Sequence, residues 1–466
     1  MTNVLPGLRQ WCFRLILGSV VAVLLLACGL LLVLIADTQS GIRAAEGPIA
    51  SRFFDRWGDE VVTVNPMMVP TRFPAHKATN EFRVFVFGGS AAMGSPYVHQ
   101  SFNRATELLG CLKFPNEGGI STWLQQYLQS AMPGRRVRVI NAAIGANDIA
   151  VAFRVFSEAL EIGHPDAVFL MSGNNQRPPE ADRELLSADP EANLAAVVAR
   201  MTAEFSAVLG AFGEYASRAG VPLFVATVPV NLRDWEPADS GDNGRWKEVR
   251  ELLDAGRAGG AAAALRWIHA EDAPDAMAQY LWGRCFDRLG DREQAHRHYS
   301  LARDHDPAFM RCRAPWNEAI RRSADSAHLV DLERYARSLA RDGLPGFDLF
   351  HDFCHMRLPV NVVVGHEIAR TMLAALFPGR PVPSIESADF SAFASRHLKT
   401  LYLLKRLKWL RVRIGLLGAR AGGANAERAM DAYRESAMIA GNLETQIRDI
   451  EALSRSGGSR SWAPGP

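Results

Sequence analysis

The sequence lacks an excess of charge of either sign. Its 52 Lys and Arg residues are balanced by 50 Asp and Glu residues, which leaves a formal net charge of +2 over 466 residues. A chain without a basic surplus has no electrostatic reason to bind nucleic acid. Its charged fraction of 22% and apolar fraction of 48% are those of an ordinary globular protein. The length allows one large domain or two to three smaller ones.

Cysteine is scarce and scattered. The chain has six cysteines, and no pair shows the C-x-x-C spacing that is typical of zinc sites, so the sequence indicates no metal site. Cys285 and Cys312 would be able to pair in an oxidising compartment, but buried free thiols are an equally good interpretation. No cofactor-binding motif is recognisable either, and we predict a protein without metal or cofactor.

One long apolar run lies near the N-terminus. It extends over Leu15–Ala36 without a charged residue, and about 22 apolar residues are enough to span a bilayer. Arg9 and Arg14 precede the run and Asp37 follows it, so the positive-inside rule predicts a cytoplasmic N-terminus. A cleaved signal peptide is the alternative, although its apolar core would be unusually long. We predict an uncleaved signal anchor in the inner membrane, with the bulk of the chain on the periplasmic or extracellular side.

Short apolar segments alternate with longer helical ones through the middle of the chain. The five predicted strands are Arg83–Phe87, Val137–Ile140, Ala167–Met171, Pro222–Val228 and His328–Asp331. Strands that alternate with helices favour parallel βαβ units and one doubly wound sheet. In such sheets function collects at the carboxyl ends of the strands. Ser90, Gly145 and Asn175 all follow predicted strands, which makes this edge the predicted site.

The turn after the first of these strands is the most informative segment. A run of apolar residues ends in Gly88-Gly89-Ser90, and glycine permits a strained turn that projects the serine hydroxyl past the strand. A phosphate-binding turn is one interpretation, but neither G-x-x-x-x-G-K-[ST] nor G-x-G-x-x-G is present here. A turn that carries a nucleophile is the other interpretation, and it requires a histidine and an acid further along the chain.

An Asp-x-x-His pattern far downstream supplies both groups. We predict that His355 is the general base toward Ser90 and that Asp352 fixes the tautomer of its ring. The predicted oxyanion donors are the N–H groups of Ser90 and Gly145 and the side-chain amide of Asn175. Together these residues predict nucleophilic catalysis.

Each predicted site residue also has a simpler interpretation. A serine after a strand is often a helix N-cap, and Asn175 on its own would suit a turn. His355 would be an ordinary loop histidine, and His351 is a rival for the role of base. The Asp-x-x-His spacing favours His355.

From Arg245 to about Met310 the sequence is helical and rich in alanine. Six positions match the spacing of a tetratricopeptide repeat: Gly283, Phe286, Ala295, Tyr299, Ala302 and Pro307. A degenerate partner at Trp246–Ala270 would complete a second helical pair. A lone repeat cannot bury its own face, so we expect it to pack on the main domain. A docking surface for a protein partner and a simple packing insert are equally good interpretations.

Four separated blocks resemble the SGNH/GDSL hydrolase family, which is named for a serine, a glycine, an asparagine and a histidine. The blocks are residues 88–94, 141–145, 172–175 and 352–355, within a stretch from Phe82 to Phe377. The chain is similar in particular to the membrane-anchored bacterial branch that carries tetratricopeptide repeats. The resemblance implies a three-layer α/β/α flavodoxin-like sandwich with a parallel sheet, and metal-free ester hydrolysis. Two departures are Gly89 where the family has aspartate, and Gln176 where an acidic residue often stands.

The predicted organisation combines these segments. It comprises a cytoplasmic stub and signal anchor at 1–40, a linker and cap at 41–80, the hydrolase domain at 81–244 and 313–380, a helical insert at 245–312, and a helical C-terminal extension with a tail at 381–466. Within the extension, Arg396–Leu417 is basic and amphipathic, which suits either an anionic lipid surface or a packed helix.

The predicted function is that of a serine esterase. It would hydrolyse or transfer an O-acyl group on an envelope glycan or lipid through an acyl-enzyme on Ser90. The alternative is a non-catalytic envelope scaffold that binds protein partners through its repeat-like and C-terminal helices.

Overall fold

The computed structural model describes residues 52–98 except 66, 117–238, 244–268 and 275–385, with short pieces at 393–394, 398, 401–402, 444, 446–452 and 454. The predicted signal anchor, nearly all of the basic segment and the end of the tail lie outside these residues. The chain divides into two compact units, and one of them, residues 50–100, 115–399 and 445–466, contains every element described below.

The first described strands form a small antiparallel sheet of β1 (Phe54–Trp57), β2 (Glu60–Thr63) and β3 (Arg72–Pro74). The sequence predicts only a linker and cap in this region, because its prolines interrupt any long helix. Proline is nevertheless compatible with the end of a short edge strand. Phe54 and Phe73 pack edge-to-face on Phe85, with ring centroids 6.4 and 5.6 Å away. The small sheet therefore covers part of the main sheet.

The main sheet is the predicted parallel one, and the described part of the chain contributes five strands to it. These are β4 (Glu81–Gly88), β5 (Arg136–Asn141), β6 (Ala167–Met171), β7 (Leu223–Ala226) and β8 (His328–Val330). Their spatial order is β5-β4-β6-β7-β8, which is the 2-1-3-4-5 order of flavodoxin-like sheets. Every residue of β4 is buried, as expected for a central strand of a covered parallel sheet.

The strand order reverses between β4 and β6. The chain leaves β4 to form β5 on one side and then returns past β4 to form β6 on the other. In open α/β sheets the crevice at such a reversal is where ligands bind. Gly88 at the end of β4 pairs with Met171 at the end of β6. The Ser90 turn and the 172–175 block therefore leave the sheet side by side at this point.

Twelve α-helices are described. They are α1 (Ser90–Met93), α2 (Ile120–Ala131), α3 (Ile149–Gly163), α4 (Glu180–Ala188), α5 (Pro190–Ala219), α6 (Lys247–Asp254), α7 (Ala258–Ile268), α8 (Ala276–Leu289), α9 (Arg292–His305), α10 (Ala314–Arg322), α11 (Leu332–Leu339) and α12 (Leu358–Leu376). Helices α2 and α12 pack on each other, and α5 packs on both α3 and α10. These two groups contact the sheet, α2 at β5, α12 at β8, α3 at β4 and α5 at β7.

Helix α5 is the one described helix that is long and apolar enough to cross a membrane, over Ala192–Ala219. The core helix of a soluble domain passes the same test of length and composition. Phe212 on this helix packs on Phe153 of α3 at 5.2 Å, and Phe205 stacks on Trp316 of α10 at 6.1 Å. Both contacts belong to a helix that packs within the α/β domain.

Four helices, α6 to α9, fill the predicted insert between β7 and β8. Helices α8 and α9 pack closely as an antiparallel hairpin. Gly283 on α8 permits this packing, because a Cβ on residue 283 would lie only 2.6 Å from the ring of Tyr299 on α9. The Asp287 carboxylate binds Arg233, in the segment after β7, at 2.8 Å. Cys285 and Cys312 are both buried and free, so they form no disulfide bond with each other.

Gly88 is the residue that the turn before Ser90 requires. Its φ of +139° lies in the region that favours glycine, and a Cβ there would stand 1.9 Å from the carbonyl oxygen of Met171. Gly89 has no such requirement, since its Cβ would be 3.5 Å from the nearest atom, the Asn147 oxygen. The first of the two glycines therefore shapes the turn.

We expect Gly88→Ala to lower the free energy of unfolding by roughly 2–5 kcal/mol, from backbone strain and overpacking together. Gly89→Ala is the matched control and should change it by less than about 1 kcal/mol. Urea unfolding followed by circular dichroism measures both. Equal stabilities for the two variants would contradict this account of the turn.

Candidate active site

The structure brings Ser90, His355 and Asp352 into hydrogen-bond contact. The His355 Nε2 atom lies 2.7 Å from the Ser90 Oγ, and its Nδ1 atom lies 2.5 Å from an Asp352 carboxylate oxygen. Ser90 is half-buried at the start of α1, just past the end of β4. A hydroxyl, an imidazole and a carboxylate joined in this order have the geometry of a catalytic triad.

The predicted acid and the predicted base, Asp352 and His355, share one hairpin, residues 349–357, which we call the catalytic hairpin. At its base the Arg357 N–H donates to the Leu349 carbonyl at 2.9 Å. Near its tip the His351 N–H donates to the His355 carbonyl at 2.8 Å. These backbone hydrogen bonds define the hairpin independently of the side chains at its tip.

The Asp352 carboxylate has two tasks at the tip of this hairpin. One oxygen accepts the backbone N–H groups of Cys354 and His355, both at 2.9 Å, which closes a tight Asx-type turn. The other oxygen binds the imidazole of His355. The Asp-x-x-His spacing follows from this geometry, because the same side chain shapes the turn and orients the ring.

Electrostatics separates the pKa values of the two groups. Burial raises the pKa of Asp352, but hydrogen bonds from the His355 ring and from two backbone N–H groups lower it by more. The pKa of Asp352 therefore lies below its ordinary value. Burial lowers the pKa of His355, but the Cys354 sulfur and the Asp352 carboxylate raise it more, so that it lies well above its ordinary value. The carboxylate therefore holds the Nδ1 proton and favours the charged ring. When the ring is neutral, its unprotonated Nε2 faces the Ser90 hydroxyl.

The three predicted oxyanion donors lie after neighbouring strands. The Ile144 N–H donates to the Gly88 carbonyl at 2.9 Å, which places Gly145 beside the turn that carries Ser90. Asn175 has a positive φ of 56°, and its N–H donates to the Met310 carbonyl at 3.0 Å. Within the described part of the chain, no hydrogen bond is made by the Asn175 side-chain amide.

The two adjacent asparagines of the third block have different surroundings. Asn174 is buried, and its side-chain oxygen accepts the Cys312 N–H at 2.8 Å. Gln176, in the position where the family often has an acid, is buried and accepts the Ile149 N–H at 3.4 Å. Asn174 and Gln176 therefore hold the loop in place, and the half-buried Asn175 side chain is left for another use.

His351, the rival base, does not contact Ser90. Its Nε2 atom lies 2.6 Å from the Tyr97 hydroxyl. Burial lowers the pKa of His351 to about 4, although the Asp449 carboxylate opposes this shift. Of the two histidines, His355 contacts Ser90 and His351 contacts Tyr97.

Asn231 is a residue of this site that the sequence analysis missed. It is fully buried, its N–H donates to the Phe353 carbonyl at 2.9 Å, and its amide donates to the Asp352 carbonyl at 3.0 Å. Arg311, itself buried, donates to the Asn231 carbonyl at 3.0 Å. Asn231 follows β7, so its place after a fourth strand of the sheet was a signal that it belongs to the same edge.

Asp352, Cys354 and His355 form the one group of metal-ligand side chains within the described segments, with ligand atoms within 4.8 Å of one another. The carboxylate already occupies the Nδ1 side of the ring. Burial raises the pKa of the Cys354 thiol, which disfavours the thiolate that a metal ion would need. The group fits an acid–base pair beside a buried thiol better than it fits a metal site.

No family model matches the chain, and no curated protein matches it. Two solved structures align with it over nearly their whole length. One is LAE5, an alpha/beta hydrolase enzyme from the metagenome of Lake Arreo, Spain, at 16% identity and a TM-score of 0.28, covering 66% of this chain and 99% of that one. The other is the acetyl xylan esterase AlAXEase, at 14% identity and a TM-score of 0.29, covering 64% of this chain and 100% of that one. At these TM-scores neither likeness carries an argument about this chain.

We expect Asp352→Asn to lower the pKa of His355 by about 1 unit or more, because the carboxylate that favours the charged ring is lost. The measurement is an NMR titration of protein labelled in its histidine rings. The control is Asp348→Asn, whose carboxylate accepts the N–H groups of Arg341 and Gly346 at 2.8 and 3.0 Å. A pKa of His355 that is the same in both variants would show that Asp352 does not control the ring.

Proposed function

We propose that the chain is a serine esterase that acts through an acyl-enzyme on Ser90. The observation that carries the proposal is the continuous line of hydrogen bonds from the Ser90 hydroxyl through His355 to Asp352, at 2.7 and 2.5 Å. A nucleophile within reach of a base, which is itself oriented by an acid, is the arrangement that nucleophilic acyl transfer requires.

In the first half of the reaction, the Ser90 oxygen attacks the ester carbonyl carbon, and its proton passes to Nε2 of His355. The Asp352 carboxylate stabilises the imidazolium that forms. The negative oxygen of the tetrahedral intermediate would be met by the N–H groups of Ser90 and Gly145 and by the Asn175 amide, each donor contributing ~3 kcal/mol. The intermediate collapses, and the leaving alcohol takes the proton from His355.

In the second half, a new hydroxyl attacks the acyl group on Ser90. His355 accepts the proton of the attacking group and returns it to the Ser90 oxygen when the acyl–serine bond breaks. Water as the attacking group gives hydrolysis, whereas a sugar hydroxyl gives O-acyl transfer. The same residues serve both outcomes, so access of water to the acyl-enzyme would decide between them.

Membership of the SGNH/GDSL family is part of this proposal. Three observations support it: the 2-1-3-4-5 strand order, the predicted serine, glycine and asparagine after neighbouring strands, and the acid and base three residues apart. We also propose that the hairpin of α8 and α9 is a tetratricopeptide-type repeat that docks a protein partner, and that the domain is the three-layer sandwich of the family.

The substrate and location rest on the sequence alone. The apolar run at 15–36 suggests an inner-membrane anchor with the domain on the periplasmic or extracellular side. We therefore propose an acylated glycan or lipid of the envelope as the substrate. The alternative, a scaffold without catalysis, would place no requirement on Ser90 and His355, and their contact at 2.7 Å favours the enzyme.

Treatment of the full chain, purified in detergent, with a fluorophosphonate should add one probe molecule, visible by intact mass. Ser90→Ala should abolish this adduct, because the activated hydroxyl is lost. Ser187→Ala, which removes an exposed hydroxyl on α4, should keep it. A folded wild-type protein that is not labelled would contradict the esterase proposal and favour the scaffold.

The two asparagines of the third block should separate chemistry from stability. Asn175→Ala should lower the rate of p-nitrophenyl acetate hydrolysis roughly 10²- to 10³-fold with little change in stability. Asn174→Ala should lower the free energy of unfolding by about 1–3 kcal/mol, because the Cys312 N–H is left buried without its acceptor. If Asn174→Ala carried the larger loss of rate per folded molecule, the oxyanion donor would have been assigned to the wrong residue.

A further inference from the structure

Besides Asn231, a buried polar cluster contacts the catalytic hairpin, and the proposed reaction does not use this cluster. Its centre is the Tyr97 hydroxyl, which lies 2.6 Å from Nε2 of His351. The hydroxyl donates to an Asp449 carboxylate oxygen at 2.8 Å and accepts the Leu358 N–H at 2.7 Å. Three distant parts of the chain therefore meet at one oxygen atom.

Burial favours the neutral forms of Tyr97 and His351. Burial raises the pKa of Tyr97 well above its ordinary value, and the Asp449 carboxylate raises it further, so the hydroxyl keeps its proton. His351, whose pKa burial lowers to about 4, is neutral and donates from Nε2 to the hydroxyl. The charge of Asp449 is balanced by Arg357, whose guanidinium lies 2.8 Å from the other carboxylate oxygen.

Asp449 belongs to a segment far from the hairpin in sequence. It follows Arg357 by 92 residues, within the helical residues 446–452. Gln446, Ile447 and Ile450 are buried together with it, and Gln446 donates to the Pro96 carbonyl. The spacing of these residues places them on one face of the helix, and this face covers the cluster.

The cluster is mechanically connected to the proposed base. The His351 N–H donates to the carbonyl of His355, so a displacement of His351 moves the backbone that carries the imidazole. Misplacement of a catalytic group by about 1 Å can cost 10²-fold in rate. A buried carboxylate that fixes Tyr97 and, through it, His351 is therefore placed to control the distance between His355 and Ser90.

We propose that Asp449 is a positioning residue: through Tyr97 and His351 it holds the catalytic hairpin so that His355 meets Ser90. The C-terminal helical segment, residues 446–452, then contributes to the geometry of the active site. This inference rests on the proposed function of Ser90, and the experiment below separates the two.

The experiment measures fluorophosphonate labelling of the full chain under saturating conditions, which separates the limiting labelling rate from the apparent affinity for the probe. Asp449→Asn and Tyr97→Phe should lower the limiting rate roughly 10- to 100-fold and leave the affinity within about twofold. Ile450→Val is the matched control, because it loosens apolar packing of the same segment and leaves every polar contact in place. It should label at the wild-type rate.

The pH midpoint of labelling is a second measurement. It would stay unchanged if Asp449 only stabilised the fold. Labelling requires neutral His355, which Asp352, Cys354 and Ser90 surround, while Asp449, Arg357 and Asp352 surround His351. A displacement of His351 pulls on the His355 backbone within the hairpin and so loosens the hydrogen bond from His355 to Asp352. The pKa of His355 then falls, and the midpoint of labelling should move to lower pH. Tyr97→Phe should show this shift without a change of charge.

The outcomes are distinguishable. A wild-type protein that is not labelled overturns the proposed function and this inference with it. A labelled wild type with Asp449→Asn at the same rate and midpoint overturns the inference alone. The inference also fails if Ile450→Val loses as much rate as Asp449→Asn, since the loss then reflects packing of the segment. If Asp449→Asn does not fold, Tyr97→Phe decides by the same criteria.

Discussion

The close approach of Gly88 to the carbonyl of Met171 is the constraint from which the site is built. Two parallel strands, β4 and β6, meet there without a side chain between them, at the point where the strand order reverses. The crevice above that point is available because the crossovers leave it in opposite directions. Ser90 enters the crevice two residues after the contact. The position of the proposed nucleophile therefore follows from the pairing of two backbones.

The partners of Ser90 are held by a different principle. Asp352 and His355 lie on one hairpin, and the carboxylate both closes the turn and orients the ring. A single loop thus sets both groups at once, and an error in its placement would displace them together. Asn231 supports the hairpin by donating hydrogen bonds to two backbone carbonyls of the hairpin, and Tyr97 supports it through a hydrogen bond with His351. The rigid sheet supplies the nucleophile, and a braced loop supplies the base.

Local patterns made the five parallel strands and the contact among Ser90, His355 and Asp352 predictable. The strands are short apolar runs, and the Asp-x-x-His spacing is a property of one turn. The strands β1 to β3 were missed because they are short and bounded by proline, and their stability comes from packing on Phe85. Asn231 and Asp449 were missed because their contacts join residues 121 and 352 positions apart. The position of Asn231 after β7 indicates the edge of the sheet but not the contact, and no local pattern indicates the contact of Asp449.

The separation of Ser90 from His355 by 265 residues has a consequence for the order in which the molecule matures. At ribosomal rates of synthesis, the serine leaves the ribosome on the order of 10 to 50 s before its base. Throughout that interval the nascent chain carries an ordinary, unactivated hydroxyl. Reactivity appears only when the last strand and the hairpin have joined the sheet. The order of the elements along the chain therefore keeps Ser90 unreactive until the domain is nearly complete.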